Sequence, residues 1–242
     1  MFDSLLRRGF QIIALHHAEA ILTMDMPEAI EDIEKVCMDI KLPVEEMVRS
    51  GGGEAAITQR IRNTFHEKHG WEKHNFEIKK IIDGVEKEAI THEVDHIKVF
   101  KKGTIAIEIE WNNKDPFFDR DLENFKHLHS EGVISVGIII TRGSTLQDKL
   151  KDIIEEYAQI KNITAFEDLE LYYSPTKRQR ENIEKATKSV GSFQRGWANS
   201  FVSDKYGEAT THWRKLSERV DRGVGNPCPL VLIGLPDSIV AL

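Results

Sequence analysis

Cysteine is scarce in this chain and follows no metal-binding pattern. The 242 residues include two cysteines, Cys37 and Cys228, which lie far apart in the sequence. Neither belongs to a CxxC pair or to a Cys/His finger spacing, which argues against a structural zinc site. Two lone thiols fit a reducing compartment, so the cytoplasm is the expected location.

Long apolar runs and a basic excess are also missing. No run reaches the roughly 18–20 apolar residues that span a bilayer, so no membrane association is expected. The formal net charge is −7, with 40% hydrophobic and 30% charged residues. This composition is typical of a soluble globular protein. It argues against a nucleic-acid coat protein but not against a nuclease, whose acidic site and local basic cleft partly cancel.

The periodicity of apolar residues predicts an α/β fold with a central mixed β-sheet flanked by helices. Helices are predicted at residues 28–40, 54–71, 119–130 and 146–160, and around 211–220. Strands are predicted at residues 76–82, 96–100, 105–111, 133–141 and 229–236. A flexible break is expected at residues 50–53 (SGGG), and a hairpin turn at 101–104 (KKGT), where glycine can supply a positive φ. One domain is expected over 1–242, with the less regular region 174–226 as a DNA-contacting or dimer-related elaboration.

The stretch IAIEIEWNN at residues 105–113 alternates isoleucine with glutamate. Side chains alternate across a strand, so Glu108 and Glu110 share one face and the isoleucines share the other. Asp95 precedes the predicted turn, and a hairpin would bring it alongside both glutamates. Three carboxylates at one place suit Mg²⁺ and the hydrolysis of a phosphodiester. The same alternation is also typical of a solvated strand face, and the pattern alone leaves both interpretations open.

These features together resemble the PD-(D/E)XK nucleases, and more closely the type II restriction endonucleases of the BglII, BstYI and BamHI group. The order that carries the resemblance is Asp95, a hairpin turn, Glu108-Ile109-Glu110, a tryptophan and two asparagines, then a helix and a β-branched strand. The resemblance is collinear and covers most of the chain, more weakly between about 144 and 210. The segments that resemble the group are 54–71, 103–118, 124–143 and 226–236.

The resemblance implies roles for four acidic residues. Asp95 and Glu108 correspond to metal ligands, so Mg²⁺ is the expected cofactor. Glu110 stands where the general nuclease pattern has lysine, BglII and BstYI have glutamine, and BamHI has glutamate. It could be a general base or a second metal ligand. Glu54 could be a fourth acid that reaches the metal from a helix start, or simply an acid stabilised by the helix dipole.

The resemblance also implies DNA contacts. Asn113 matches an asparagine that contacts bases in BglII-like enzymes, because an amide can donate and accept on one base edge; its alternative is a turn residue. Arg120 and Lys126 lie on the next predicted helix, where the group has DNA-contacting basic residues. The densest basic cluster consists of Lys177, Arg178 and Arg180. It could bind DNA phosphates, or it could be a run of solvated surface charges.

The resemblance implies a Mg²⁺-dependent type II site-specific deoxyribonuclease that cuts double-stranded DNA at a short palindrome. A homodimer is expected, because two-fold symmetry of the protein mirrors that of the site. The site would be GATC-centred, such as RGATCY, and a cognate DNA methyltransferase is expected to be encoded nearby. Two alternatives are a PD-(D/E)XK nuclease in DNA repair or junction processing, and a non-catalytic DNA-binding protein with this fold.

Overall fold

A six-stranded mixed sheet forms the centre of the structure, a computed structural model that describes residues 1–49 and 53–242. The strand order is β1-β7-β6-β5-β4-β3, with β5, β6 and β7 parallel and the other pairs antiparallel. A short parallel pair, β2 and β8, lies apart from it. The strands are β1 Gln11–Leu15, β2 Leu42–Pro43, β3 Glu72–Ile82, β4 Val85–Phe100, β5 Gly103–Glu110, β6 Val136–Arg142, β7 Leu230–Leu235 and β8 Val240–Ala241.

Helices flank this sheet, which confirms the predicted α/β fold class. Within the described ranges they are α1 Asp3–Arg7, α2 Ala18–Asp25, α3 Pro27–Met38, α4 Val44–Val48, α5 Ala56–His69, α6 Phe117–Ser130, α7 Ser144–Ile160, α8 Phe166–Leu169, α9 Lys177–Val190, α10 Phe193–Lys205 and α11 Trp213–Asp221. The predicted helices correspond to α3, α5, α6, α7 and α11. Gly70 ends α5 in the left-handed conformation with φ 67°, as its sequence position predicts. The predicted break at 50–53 falls mostly on residues 50–52, which lie outside the described residues.

Two hydrophobic layers cover the two faces of the sheet. One contains Ile105, Ile107 and Ile109 of β5 together with residues of α3, α5, α7 and α10. The other contains Ala106 of β5 together with residues of α6 and α11. Because side chains alternate along a strand, Glu108 shares the face of Ala106 and points toward α6.

The β4–β5 hairpin has the predicted position, but its glycine has a different role from the one expected. Phe100 pairs with Gly103, so Lys101 and Lys102 form the connection. Gly103 is not among the residues with positive φ. A Cβ at this position would lie 2.2 Å from Ser135 Oγ and 3.1 Å from its Cβ. Glycine is therefore required here by close packing rather than by a left-handed backbone.

A register shift interrupts β4 beside the acidic strand. Ile97 of β4 pairs with Glu72 of β3, but three residues earlier Val94 pairs with His74, so β4 contains one extra residue at 95–96. The β4–β5 ladder ends close by, at His96 paired with Ile107. Bulges of this kind bend a strand and redirect side chains, and they are common beside active sites. Asp95 therefore lies at the point where β4 leaves β5 and continues as a two-stranded ribbon with β3.

A second glycine sets the distance between α6 and the sheet. A Cβ on Gly137 of β6 would lie 2.4 Å from Cδ2 of Phe125. Both Phe118 and Phe125 of α6 are fully buried. The missing side chain thus lets α6 approach closely, and Asp121, one turn before Phe125 on the same helix face, is brought to the sheet as well.

Residues 174–226 are more regular than the sequence indicated, since α9 and α10 are formed in addition to the predicted helix α11. Trp197 and Phe201 of α10 belong to the larger hydrophobic layer. Arg195 of α10 also contacts α7, with Nη1 2.6 Å from Asp152 and 2.8 Å from Glu155. This region is therefore packed against the core. Separately, no helix among residues 1–49 and 53–242 is long and apolar enough to cross a membrane.

Candidate active site

An open cleft lies where β4 leaves β5, and most of the predicted site residues line it. Its volume is about 580 Å³. The predicted residues that line the cleft are Glu54, Asp95, Glu108, Glu110, Asn113 and Arg120. They come from the segment before α5, from β4 and β5, from the loop after β5 and from α6. Residues that are distant in sequence are thus assembled at one edge of the sheet.

The two glutamates of β5 are buried, which excludes a solvated strand face as their setting. Glu108 is 4% exposed and Glu110 is 3% exposed. Each lies beside a residue of the central parallel strand β6, with Glu108 paired to Ile139 and Glu110 to Thr141. A carboxylate held away from water without a cation loses its favourable hydration, so its neutral form is favoured.

A third buried carboxylate, Asp121 of α6, completes the acidic side of the site. It is 1% exposed. Burial, together with the charges of Asp121, Asp95 and Glu110, raises the pKa of Glu108 well above its usual range. Burial and the charge of Asp121 raise the pKa of Glu110 to about 8. Burial also raises the pKa of Asp121 itself, against the lowering effect of Arg120.

Three cations accompany these acids around the cleft. Arg120 Nη2 lies 2.7 Å from Asp121 Oδ1 and 3.5 Å from Glu110 Oε1. Arg62 of α5 pairs with Glu54 at 2.6 Å. Lys73 of β3 lies 3.9 Å from Asp95 and 2.8 Å from Glu93. The acids therefore have cationic partners at the rim of the cleft and carboxylate neighbours in its depth.

The segment after β5 is held rigidly by a buried arginine at the end of β6. Arg142 is fully buried, and its Nε donates to Trp111 O at 2.8 Å. Its Nη2 donates at 2.6 Å to Thr210 Oγ1 and to Thr211 O. Thr211 N in turn donates to Asn113 O at 2.8 Å. The loop that carries Asn113 is thus connected to the segment between α10 and α11.

Asn113 contacts the acids directly as well as lining the cleft. Its Nδ2 donates to Glu110 Oε2 at 2.8 Å. This hydrogen bond favours the charged form of Glu110 and opposes the effect of burial on its pKa. It also fixes which oxygen of Glu110 faces the loop.

The donor set fits a hard divalent cation by its chemistry. Glu54, Asp95, Glu108 and Glu110 offer carboxylate oxygens to one cleft, and such oxygens are what Mg²⁺ and Ca²⁺ prefer. Burial and then the repulsion of neighbouring carboxylates raise the pKa of Glu108, and a cation would relieve that repulsion. The described residues do not, however, form a finished coordination sphere: among them no three His, Cys, Asp or Glu side chains are grouped as a metal site.

The other predicted DNA-contacting residues lie away from the acidic cleft or at a different surface. Lys126 of α6 pairs with Glu123 at 2.9 Å and does not line the cleft. Lys177 and Arg178 are exposed in the first turn of α9. Arg180 pairs with Glu170 at 3.4 Å and lies 5.0 Å from the centre of the Phe166 ring.

Sequence reasoning missed Asp121, Arg62 and Phe117, all of which contact or line this site. The burial of Asp121 could have been predicted from the sequence, because this residue lies within the apolar face of α6 between Phe118 and Phe125. A carboxylate on an apolar helix face is seldom buried without a polar function or partner. Arg62 had no such signal, since its place depends on how α5 packs beside β4.

The comparison with protein families agrees with this geometry. Residues 10–235 match the family described as restriction endonuclease BglII/BglIII, which is nearly the whole chain. No curated protein matches the chain. The match spans the acidic strand, the hairpin before it and the helices that flank the cleft. The chain therefore belongs to the BglII/BglIII family of restriction endonucleases.

Proposed function

We propose that the protein is a Mg²⁺-dependent type II restriction endonuclease that hydrolyses phosphodiester bonds of double-stranded DNA at a short palindromic site. The observation that carries the proposal is the cleft of about 580 Å³ in which Glu108 and Glu110 are buried beside Asp95. Buried like charges are costly unless a cation binds them. Family membership makes DNA the natural substrate for such a site.

In this proposal, Asp95 and Glu108 hold the cation, and Glu54 approaches it from the start of α5. Bound Mg²⁺ would supply electrostatic stabilisation of the reacting phosphoryl group and would lower the pKa of water. Glu110 takes the proton of the attacking water: Asn113 orients its carboxylate, and a bound cation would favour the charged form that burial otherwise disfavours. Arg120, which is half-exposed at the cleft, binds phosphate oxygens.

Recognition and assembly belong to the same proposal. Asn113 reads a base edge. Cations of α6 and α9 contact the DNA backbone: the partly exposed Lys126 and Arg180 and the exposed Lys177 and Arg178. The chain acts in the cytoplasm as a homodimer, each subunit cutting one strand of a GATC-centred site such as RGATCY. Residues 1–242 form one domain in which 174–226 contributes to the DNA or dimer contacts. A DNA methyltransferase encoded nearby would protect the host DNA.

Digestion of plasmid DNA by the purified protein with Mg²⁺ tests this function. The expected result is a set of discrete fragments whose sequenced ends share one palindrome. Random nicking would favour a repair or junction nuclease instead. Binding without cleavage across a range of salts and divalent metals would favour a non-catalytic DNA-binding protein. Sedimentation of the protein with and without the cognate duplex tests the homodimer.

A further inference from the structure

Asp121 makes unequal use of its two carboxylate oxygens. Oδ1 accepts from Arg120 Nε at 2.8 Å and lies 2.7 Å from Arg120 Nη2. Oδ2 is buried and receives no hydrogen bond from a nitrogen or hydroxyl donor in the described chain, whereas protonated Glu110 can donate a hydrogen bond to the Asp121 carboxylate. Gly137 sets this depth, because it lets Phe125 and the inner face of α6 approach the sheet. The carboxylate is thus held in place by helix packing and directs one edge toward Arg120.

The Arg120 guanidinium is fixed on three sides although its side chain is 53% exposed. Asp121 contacts Nε and Nη2, Glu110 lies 3.5 Å from Nη2, and the ring of Phe117 lies 4.4 Å from Cζ. Nη1 has no protein partner among the residues that the structure describes. An exposed arginine otherwise samples many rotamers, and ordering it costs conformational entropy.

Adjacent residues of a helix point about 100° apart, so the contact between Arg120 and Asp121 is not a consequence of helix geometry. The arginine side chain has to bend back toward its neighbour. The Phe117 ring, three residues earlier, lies on the same face as Arg120 and supports that bend. The result is a guanidinium that is held in place and lines the acidic cleft.

We propose that Asp121 is a positioning residue, which orients Arg120 so that its outward N–H groups bind a phosphate of the DNA backbone in the cleft. This inference rests on the proposed nuclease function, since it takes DNA as the ligand. Asp121 acts through Arg120 and does not touch the reacting atoms. The buried Oδ1 orders the arginine before DNA arrives, so less entropy is lost when the phosphate binds.

A double-mutant cycle tests this role. The proteins are wild type, Asp121→Asn, Arg120→Met and the double variant; Asn keeps the volume of Asp, and Met keeps the arginine stem. The probe is a short fluorescein-labelled duplex centred on AGATCT, with Ca²⁺ in place of Mg²⁺, and the readout is affinity from anisotropy across a salt series. Asp119→Asn is the matched control, because it removes an acid of the same helix that pairs with Arg219 at 3.0 Å.

Arg120→Met weakens DNA binding about tenfold, the cost of one charge-assisted hydrogen bond, and lowers the salt slope by about one. Asp121→Asn weakens binding several-fold in the wild-type background. The same substitution has no further effect when Arg120 is already methionine. Asp119→Asn leaves the DNA affinity and its salt dependence unchanged.

Three outcomes would overturn the inference. Asp121→Asn could leave DNA affinity unchanged, or its effect could persist in full in the Arg120→Met background. It could also abolish the thermal stabilisation by Mg²⁺ while DNA affinity stays the same, which would make Asp121 a metal ligand. A wild-type protein that neither binds nor cuts DNA would refute the proposed function, whereas a cutting wild type with an additive cycle refutes only the positioning role.

Discussion

Glutamine at position 110 should stabilise the metal-free protein at neutral pH, although it removes a proposed active-site group. Glu110 is 3% exposed and its pKa is raised from 4.5 to about 8. The folded state therefore keeps a proton that the unfolded state has lost across this pH window. Each pH unit in the window lowers the free energy of unfolding by about 1.4 kcal/mol. Glu110 thus costs the fold about 3 kcal/mol at pH 7.

The effect of Glu110 on the free energy of unfolding changes with pH in the opposite direction to that of an ordinary salt-bridged acid. The loss of stability that it causes is absent below pH 4.5, grows through neutrality and is complete above about pH 8. Glu110→Gln removes the titrating group, and its amide can donate to the Asp121 carboxylate as protonated Glu110 does. Glu108 and Asp121 continue to titrate in this variant. Its stability should therefore fall less steeply with pH than that of the wild type, without becoming flat.

The assay is urea or thermal unfolding in EDTA at several values from about pH 5 to pH 8. We expect Glu110→Gln to match the wild type at the acidic end and to exceed it by about 3 kcal/mol at pH 7, or about 6–12 °C in Tm. Glu123→Gln, the same change on a half-exposed acid of α6, should follow the wild type within about 0.5 kcal/mol. Parallel curves for wild type and Glu110→Gln would refute the reasoning.

Three further predictions concern packing, the buried arginine and the cation. Gly137→Ala should destabilise the fold by about 1–3 kcal/mol in urea and reduce cleavage, because its Cβ would meet Phe125. Adding Phe125→Leu to this variant should restore part of the stability and part of the cleavage. If it restores neither, close packing at Gly137 is not the cause. Arg142→Met should cost at least about 3 kcal/mol, since the carbonyls of Trp111 and Thr211 lose a charged donor, and unchanged urea stability would contradict this. Mg²⁺ should raise Tm more at about pH 8 than at about pH 6, because protons compete for the carboxylates; an equal rise at both would count against a carboxylate site.

The parts of the fold that the sequence predicts are those with strong local periodicity. Helices α3, α5, α6 and α7 each bury a regular apolar face, and the central strand β6 is a nearly continuous β-branched run. By contrast, α9 buries only Ile183 among its residues, so its periodic signal is weak. Gly196 lies inside α10, where glycine weakens the helix signal of the sequence; a Cβ there would collide with Thr187. Strand β1 escapes prediction because its five residues are defined by pairing with β7, more than two hundred residues away.

The candidate site also has some features that the sequence predicts and others that it does not. The shared face of Glu108 and Glu110 follows from strand alternation, and the nearness of Asp95 follows from the hairpin. The burial of the glutamates does not follow, because it depends on how closely α6 approaches over Gly137. The bulge at Asp95 depends on the registers of two ribbons at once. Asp121 and Arg62 enter the site through tertiary packing, which no local pattern encodes.

The most direct test of the central claim is the rate of DNA cleavage by Glu108→Gln in Mg²⁺ under single-turnover conditions. Glutamine keeps the size and one oxygen of Glu108 but removes the charge that the proposed cation site requires. We predict a loss of at least about 100-fold relative to the wild type, together with a smaller Mg²⁺-induced rise in Tm and a fold that stays intact in EDTA. Cleavage by Glu108→Gln at the wild-type rate and at the same sites would show that this cleft is not the active site.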